Sequence, residues 1–145
     1  MTIYENKSDL TELANKLFMY TDTGDWQKLI DEVFIEDVLF DMSSAGGNTP
    51  KTLKAKEICD MWKEGLKDLD AIHHQAGHYI IQVNSDTADI YAYAVASHYK
   101  KSATKGNTRT FTGSYDLKAI NDTTGWRLSS FKYNLKFIDG NATLE

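Results

Sequence analysis

The chain has little cysteine and no long apolar run. Cys59 is the only cysteine among 145 residues, so neither an intrachain disulfide nor a four-cysteine zinc site can form. That usage favours a reducing compartment, and we expect a cytoplasmic protein. The N-terminus shows no apolar run behind a basic segment, and no later stretch approaches the ~20 apolar residues that span a bilayer. We therefore expect neither export nor membrane insertion.

Concentrated positive charge is also missing. The net charge is −5, and the densest basic group is Lys51, Lys54 and Lys56. Because nucleic-acid binding depends on clustered positive charge, we expect no nucleic-acid partner. What the chain does contain is 41% hydrophobic and 12% aromatic residues. That composition and length are typical of one folded globular domain.

Hydrophobic periodicity divides the chain into a helical first half and a strand-rich second half. Helical spacing predicts three helices, the first behind a candidate cap at Asp9 and the second behind Asp25. A short strand is predicted at 38–41, and the loop at 43–50 is the segment we expect to be mobile. From 71 to 138, alternating stretches separated by polar turns predict four consecutive antiparallel strands. This order indicates an α+β domain whose sheet wraps over the helices.

The stretch ADIYAYAVASHY has one face made almost entirely of alanine. That face carries Ala88, Ile90, Ala92, Ala94, Ala96 and His98. Alanine at these positions either lets a helix pack closely against the sheet or leaves room for a ligand on the concave side of a bent sheet. The pattern leaves both interpretations open, with His98 at the rim in the second.

Three of the four histidines lie in IHHQAGH, at 72–78. On a strand, His74 and His78 share a face but lie about 13 Å apart. His73 points to the opposite face. One metal ion cannot bind all three, and we predict no metal site.

A second pairing brings two imidazoles together. A hairpin centred on Asp86 sets His74 directly opposite His98, with Cβ atoms about 5 Å apart. A bulge near Gly77 would shift that register. The pair meets on the alanine-rich face as an acid–base set, or else the two are ordinary polar strand residues satisfied by water.

An acid–base histidine needs a partner that fixes its tautomer. Asp22 is the candidate, because it lies in the break after the first helix, near one end of the expected cavity. Its alternative role is that of a turn or cap residue. Asp25 is better placed as the cap, which leaves Asp22 available.

Five motifs in order carry a resemblance to a known family. They are TDTGDW at Thr21–Trp26, IHHQAGH at Ile72–His78, DTADIYAYAVASH at Asp86–His98, GSYD at Gly113–Asp116 and GWRLSSF at Gly125–Phe131. Together they resemble the SnoaL-like branch of the nuclear transport factor 2-like superfamily, closest to its scytalone dehydratase-like group. The resemblance spans about residues 8–138 of a single domain, 1–145. It implies a cone-shaped, strongly curved antiparallel sheet wrapped around three N-terminal helices, with a pocket inside.

The resemblance also implies an acid–base set of Asp22, His74 and His98, and no cofactor. In that scheme His98, oriented by Asp22, removes a proton next to a carbonyl, and His74 protonates the leaving hydroxyl or the oxyanion. Two tyrosines that hold a water against the carbonyl in that group are replaced here by Thr21 and Met42. The candidate substrate-binding residues are Tyr20, Met42, Trp62, Ser114 and Tyr115.

Two functions follow from this reasoning. The first is a cofactor-independent hydro-lyase, cyclase or isomerase acting on a small cyclic or polyketide-like carbonyl compound. The second is a non-catalytic ligand-binding or adapter protein of the same fold. Constellations of other superfamily enzymes are not clearly present: an epoxide hydrolase needs an arginine between carboxylates, and only Arg109 and Arg127 are available. The family implies a homodimer through the outer sheet face, which carries Tyr91, Tyr93 and Tyr99.

Overall fold

The computed structural model describes residues 2–47 and 49–145, so Asn48 of the predicted mobile loop lies outside the described residues. The helical elements are α1 (Ile3–Thr23), α2 (Trp26–Lys28), which continues into a short π-helix (Leu29–Val33), a 3-10 helix (Ser43–Ala45) and α3 (Ala55–Leu66). The strands are β1 (Phe34–Asp41), β2 (Lys51–Lys54), β3 (Ala71–Asn84), β4 (Thr87–Tyr99), β5 (Thr108–Asp122) and β6 (Gly125–Gly140).

The first helix begins earlier and ends later than the sequence suggested. Thr2 is the N-cap: its side chain accepts from the Glu5 backbone N–H, while the Glu5 carboxylate accepts from the Thr2 backbone N–H. This reciprocal capping box starts the helix, so the predicted cap at Asp9 is wrong. The helix ends at Thr23 because Gly24 adopts a left-handed φ of 71°, which glycine does without steric cost.

The sheet has six strands in the order β2-β1-β6-β5-β4-β3. The four long antiparallel strands β3–β6 confirm the predicted meander. β1 pairs parallel with β6 and antiparallel with β2. The curved, unclosed sheet with three helices confirms the predicted α+β class and cone-like fold.

The alanine-rich face of β4 is buried over most of its length and borders a cavity near its end. Ala88, Ala92 and Ala94 are buried in the hydrophobic core together with apolar residues of α1. Ala96, one step further along, lines a cavity. Alanine therefore leaves room for a ligand near the end of β4, whereas the close helix packing is that of α1 on the neighbouring strand β3.

The outer face of β4 is more exposed than the inner one. Tyr91 and Tyr93 are half-buried and Tyr99 is 40% exposed. The homodimer expected through this face stays a prediction. No helix formed by the described residues is long and apolar enough to cross a membrane, and the cytoplasmic location also stays a prediction.

Candidate active site

A cavity of about 220 Å³ lies between α1, α3 and the inner face of the sheet. Its wall is mainly apolar, and the polar groups come from Thr21, two histidines and two tyrosines. The residues from the sheet are His74, Ala96, His98, Phe111, Tyr115, Phe131 and Tyr133. An apolar cavity of about 150 Å³ binds benzene. This cavity therefore has room for one substituted ring.

The third helix supplies the opposite wall because its apolar stripe has two parts. Its first turns bury Ala55, Ile58 and Cys59 in the core. Its later turns present Met61 and Trp62 to the cavity. The Trp62 ring is fixed by aromatic neighbours, with centroids 5.4–6.1 Å away on Phe34, Phe40 and Phe131. The predicted stripe on this helix therefore builds both core and site.

Asp22 and His74 form the shortest contact in the site. Asp22 lies in the last turn of α1, not in the break that follows it as predicted. Its Oδ1 is 2.5 Å from His74 Nδ1, and its Oδ2 accepts from the His74 backbone N–H at 3.0 Å. Both side chains are mostly buried, at 18% and 12% exposure. Because a carboxylate only accepts, Nδ1 carries a proton, and in the neutral ring Nε2 of His74 then holds the lone pair.

His98 has a positively charged partner, whereas the partner of His74 is a carboxylate. Arg109 Nε donates to His98 Nδ1 at 3.0 Å, and Arg109 Nη1 donates to the Ala142 carbonyl at 3.2 Å. Burial and the Arg109 charge lower the pKa of His98 to about 4. Since arginine does not give up its proton, Nδ1 of His98 must accept and Nε2 must carry the hydrogen. His98 is therefore a neutral hydrogen-bond donor at pH 7.

The pairing of Asp22 with His98 is wrong, and so is the direct opposition of the two histidines. His74 lies opposite Ala96, and His98 lies opposite Ile72. The turn pairs Asn84 with Thr87, one residue away from a hairpin centred on Asp86. The register shifts by a second residue between Gly77 and Ile80, near the predicted bulge position, where His78 has a positive φ of 55°. The two imidazoles still share the inner face, but they are offset by two residues.

Three of the five predicted wall residues border the cavity and two do not. Met42, Trp62 and Tyr115 line it. Tyr20 lies outside, where its hydroxyl donates to Glu32 at 3.3 Å. Ser114 is on the other face of β5, because only alternate residues of a strand face inward. Its Oγ accepts from Asn134 at 3.2 Å.

The two positions where the family tyrosines are replaced give the cavity little polarity. Thr21 lines the cavity, but its hydroxyl donates to the Leu17 carbonyl at 2.7 Å within α1. Met42 offers no hydrogen-bond donor. Neither residue can take over the water-holding role of a tyrosine hydroxyl.

Sequence reasoning missed two polar groups of the site, Arg109 and Tyr133. Arg109 is opposite His98 in the β4–β5 register, but a turn centred in the predicted 102–107 segment would have placed Phe111 there. Tyr133 follows the last quoted motif by two residues. Inward alternation along β6 from Phe131 is the signal that would have found it.

The described residues do not show the pattern of a metal site. Within residues 2–47 and 49–145, no three His, Cys, Asp or Glu side chains converge in a way that could hold a metal ion. Arg127, the other arginine, donates to the Asp31 carbonyl at the surface. It takes no part in the cavity wall.

The chain is similar to a known domain family and to several solved structures. The sequence model of the SnoaL-like domain matches residues 3–132. The Kfla4162 protein from Kribbella flavida is 25% identical, with a TM-score of 0.93 over 99% of this chain and 98% of its own. A search of curated proteins finds no significant match.

Two more distant structures are similar in fold alone. A scytalone dehydratase-like protein from Novosphingobium aromaticivorans is 12% identical, with a TM-score of 0.77 over 91% of this chain and 85% of its own. A nuclear transport factor 2-like superfamily protein from Salmonella enterica is 15% identical, with a TM-score of 0.77 over 94% of both chains. These two structures therefore share the fold of helices and curved sheet described above.

Proposed function

This chain belongs to the SnoaL-like domain family, and we propose that it is a cofactor-independent acid–base enzyme acting on a small cyclic carbonyl compound. The family resemblance predicted from the motifs is confirmed. The reaction we propose is removal of water from a ring that carries a hydroxyl β to a carbonyl. Cyclase or isomerase chemistry uses the same proton transfer and stays open as the finer assignment.

The observation that carries the proposal is the contact between Asp22 and His74. Asp22 holds both the ring and the backbone of His74, which leaves Nε2 as the free basic nitrogen of a cavity-lining residue. A base fixed in one tautomer and one orientation is the requirement for general base catalysis. His74 is therefore the proposed base, in place of His98.

His98 takes the complementary role. Its Nε2–H is a neutral donor, because Arg109 occupies Nδ1 and its pKa is lowered to about 4. A neutral imidazole can polarise an oxygen without giving up its proton, a pattern known from other proton-transfer enzymes. We assign His98 to steady the leaving hydroxyl or the developing oxyanion.

The proposed reaction balances with one histidine that moves the proton. His74 Nε2 takes a proton from the carbon next to the carbonyl, and the electron pair of that C–H bond forms the enolate. The imidazolium lies beside the Asp22 carboxylate. The enolate then collapses, the β C–O bond breaks, and the imidazolium returns its proton to the departing hydroxyl. The products are a conjugated enone and water, and His74 is restored.

The size and wall of the cavity support a monocyclic substrate. A cavity of about 220 Å³ with Phe18, Trp62 and Phe131 in its wall favours one flat ring with short substituents. Exclusion of water by such a wall strengthens the polar interactions within it. Long polyketide chains would extend beyond this volume.

The test is turnover of monocyclic β-hydroxy ketones, followed by the ultraviolet absorbance of the enone. Replacing His74 with glutamine keeps a hydrogen-bonding side chain beside Asp22 but removes the base. We expect His74→Gln to lower kcat/KM by about 10³-fold, within the range for a positioned general base. His78→Gln is the matched control, because His78 is exposed on the same strand and its ring contacts Tyr93 on the outer face; its rate should stay within about twofold of wild type.

Two results would contradict the enzyme assignment. One is turnover that survives His74→Gln. The other is ring ligands that bind the wild-type cavity while none of them is turned over or exchanges α-hydrogens in D₂O. The second result would support the alternative of a ligand-binding protein.

A further inference from the structure

Tyr133 carries a buried hydroxyl without a partner. Its side chain lines the cavity and the residue is only 4% exposed. Among the described residues, its oxygen is the buried side-chain polar atom that finds no hydrogen-bond partner. Leaving such a group unpaired costs about 1–3 kcal/mol. A feature that costs stability in this way and lies in a cavity wall points to a ligand.

A glycine of the neighbouring strand lies beside this hydroxyl. A Cβ at Gly113 of β5 would be 2.4 Å from the Asn134 carbonyl oxygen and 2.6 Å from the Tyr133 oxygen. Any larger residue would collide with both the β6 backbone and the phenol. A glycine inside a strand often marks such a close approach, so the GSYD motif contributes the space that the hydroxyl needs.

A chain of ring contacts connects the phenol to His74. His74 packs on Phe18, Phe18 on Tyr115, and Tyr115 on Tyr133, with successive centroid distances of 5.6, 5.0 and 4.9 Å. Burial raises the pKa of Tyr133 to about 12, so the hydroxyl keeps its hydrogen at neutral pH. The cavity therefore has a second polar anchor away from the Asp22 contact.

We infer that the Tyr133 hydroxyl donates a hydrogen bond to the carbonyl oxygen of the ligand, which makes the ligands of this cavity aromatic or cyclic ketones and related carbonyl compounds. Thr21 and Met42 cannot polarise that oxygen, whereas Tyr133 reaches the cavity from β6. The identification of this oxygen as the carbonyl of a substrate rests on the proposed function. The binding step itself does not depend on turnover.

The experiment uses a pair of probes that differ in one group. Acetophenone carries a carbonyl oxygen, and α-methylstyrene carries a methylene group in the same place on the same skeleton. Dissociation constants for both are measured by NMR titration on wild type, Tyr133→Phe and Tyr20→Phe. Tyr20→Phe is the matched control, because the Tyr20 hydroxyl binds Glu32 outside the cavity.

We expect Tyr133→Phe to weaken acetophenone binding by about tenfold, the effect of losing one buried hydrogen bond. Binding of α-methylstyrene should change by less than twofold, and Tyr20→Phe should change neither. The carbonyl stretch of ¹³C-labelled acetophenone should lie at lower frequency in wild type than in Tyr133→Phe. The free variant should melt no lower than wild type, because the lost hydroxyl had no partner.

The inference is overturned if the two probes respond alike to Tyr133→Phe, if the carbonyl stretch does not move, or if wild type binds neither probe. Failure of the proposed function has a different signature. In that case His74→Gln leaves turnover intact, or turnover is absent, while the tenfold effect of Tyr133→Phe on ketone binding persists. The two conclusions can therefore fail separately.

Discussion

The two histidines of the cavity share a sheet face but have opposite neighbours. His74 touches a carboxylate, at 2.5 Å from Asp22, whereas His98 touches a guanidinium, at 3.0 Å from Arg109. Each contact engages Nδ1, yet the carboxylate accepts a hydrogen there and the guanidinium donates one. One ring is left with a free lone pair and the other with a free N–H. The neighbour, more than the residue type, sets the chemical role.

The two partners also reach the site by different routes. Asp22 is 52 residues from His74 in sequence and arrives with the last turn of α1. Arg109 is 11 residues from His98 and arrives as its cross-strand neighbour on β5. The Asp22–His74 pair thus depends on docking of α1 on the sheet, and the Arg109–His98 pair depends on the register of the β4–β5 hairpin.

After His74→Gln, the largest expected effect comes from removing the charge beside His74. Asp22→Asn keeps the size of the side chain but lets its amide donate to Nδ1, which would place the hydrogen of His74 on Nε2. We expect kcat/KM for the β-hydroxy ketone to fall on the order of 10²–10³-fold, as expected when a general base loses its orienting carboxylate. Steady-state kinetics measures this directly.

Asp25→Asn is the matched control for that change. Asp25 is close in sequence, but its carboxylate accepts from the Thr23 hydroxyl at 2.7 Å on the exposed side. Its replacement should leave kcat/KM within about twofold. A similar rate for Asp22→Asn and wild type would remove the distinction between the two histidines.

A second prediction concerns the dependence of stability on pH at the Arg109–His98 pair. The pKa of His98 is about 4 in the folded chain and about 6.5 when unfolded. Above pH 6.5 both states are neutral; as the pH falls from 6.5 to 4, the unfolded chain takes up the proton first, so stability is lost across this window. After a discount for the partial exposure of His98, the free energy of unfolding of wild type should fall on the order of 2 kcal/mol more than that of His98→Gln. Urea unfolding at pH 7 and pH 4.5 measures the difference.

Arg109→Met should also change the acid-induced loss of stability, but by less than His98→Gln does. Burial is the larger cause of the lowered pKa of His98 and the Arg109 charge the next, so the pKa should rise only part of the way. The acid-induced loss of stability should shrink, but less than in His98→Gln. Arg127→Met is the control, because Arg127 contacts the Asp31 carbonyl at the surface. An equal acid-induced loss in all four proteins would contradict the assignment.

Much of the fold follows from local patterns in the sequence. The long strands β3–β6 alternate regularly, and the first-helix stripe from Leu10 to Phe18 is buried as its spacing predicts. β2 was not predicted because only Leu53 of its four residues is partly buried. The parallel pairing of β1 with β6 depends on long-range packing, which local periodicity does not encode.

The sequence predicts which residues lie near the site better than it predicts which of them contact each other. Asp22, His74 and His98 do lie near one cavity, but the histidines are two residues out of line. One residue comes from the turn, which pairs Asn84 with Thr87 and so is not centred on Asp86, and the other comes from the register shift between Gly77 and Ile80. A single bulge changes every partner beyond it. The position of Asp22 on α1 then decides which imidazole it meets, and that depends on where the helix ends.

The tautomer of each imidazole at pH 7 can be read directly from long-range ¹H–¹⁵N correlations of the histidine side chains. The contacts with Asp22 and Arg109 predict opposite tautomers: Nδ1–H with a free Nε2 in His74, and Nε2–H with Nδ1 as acceptor in His98. The same tautomer in both rings, or a charged His98 at pH 7, would contradict this prediction.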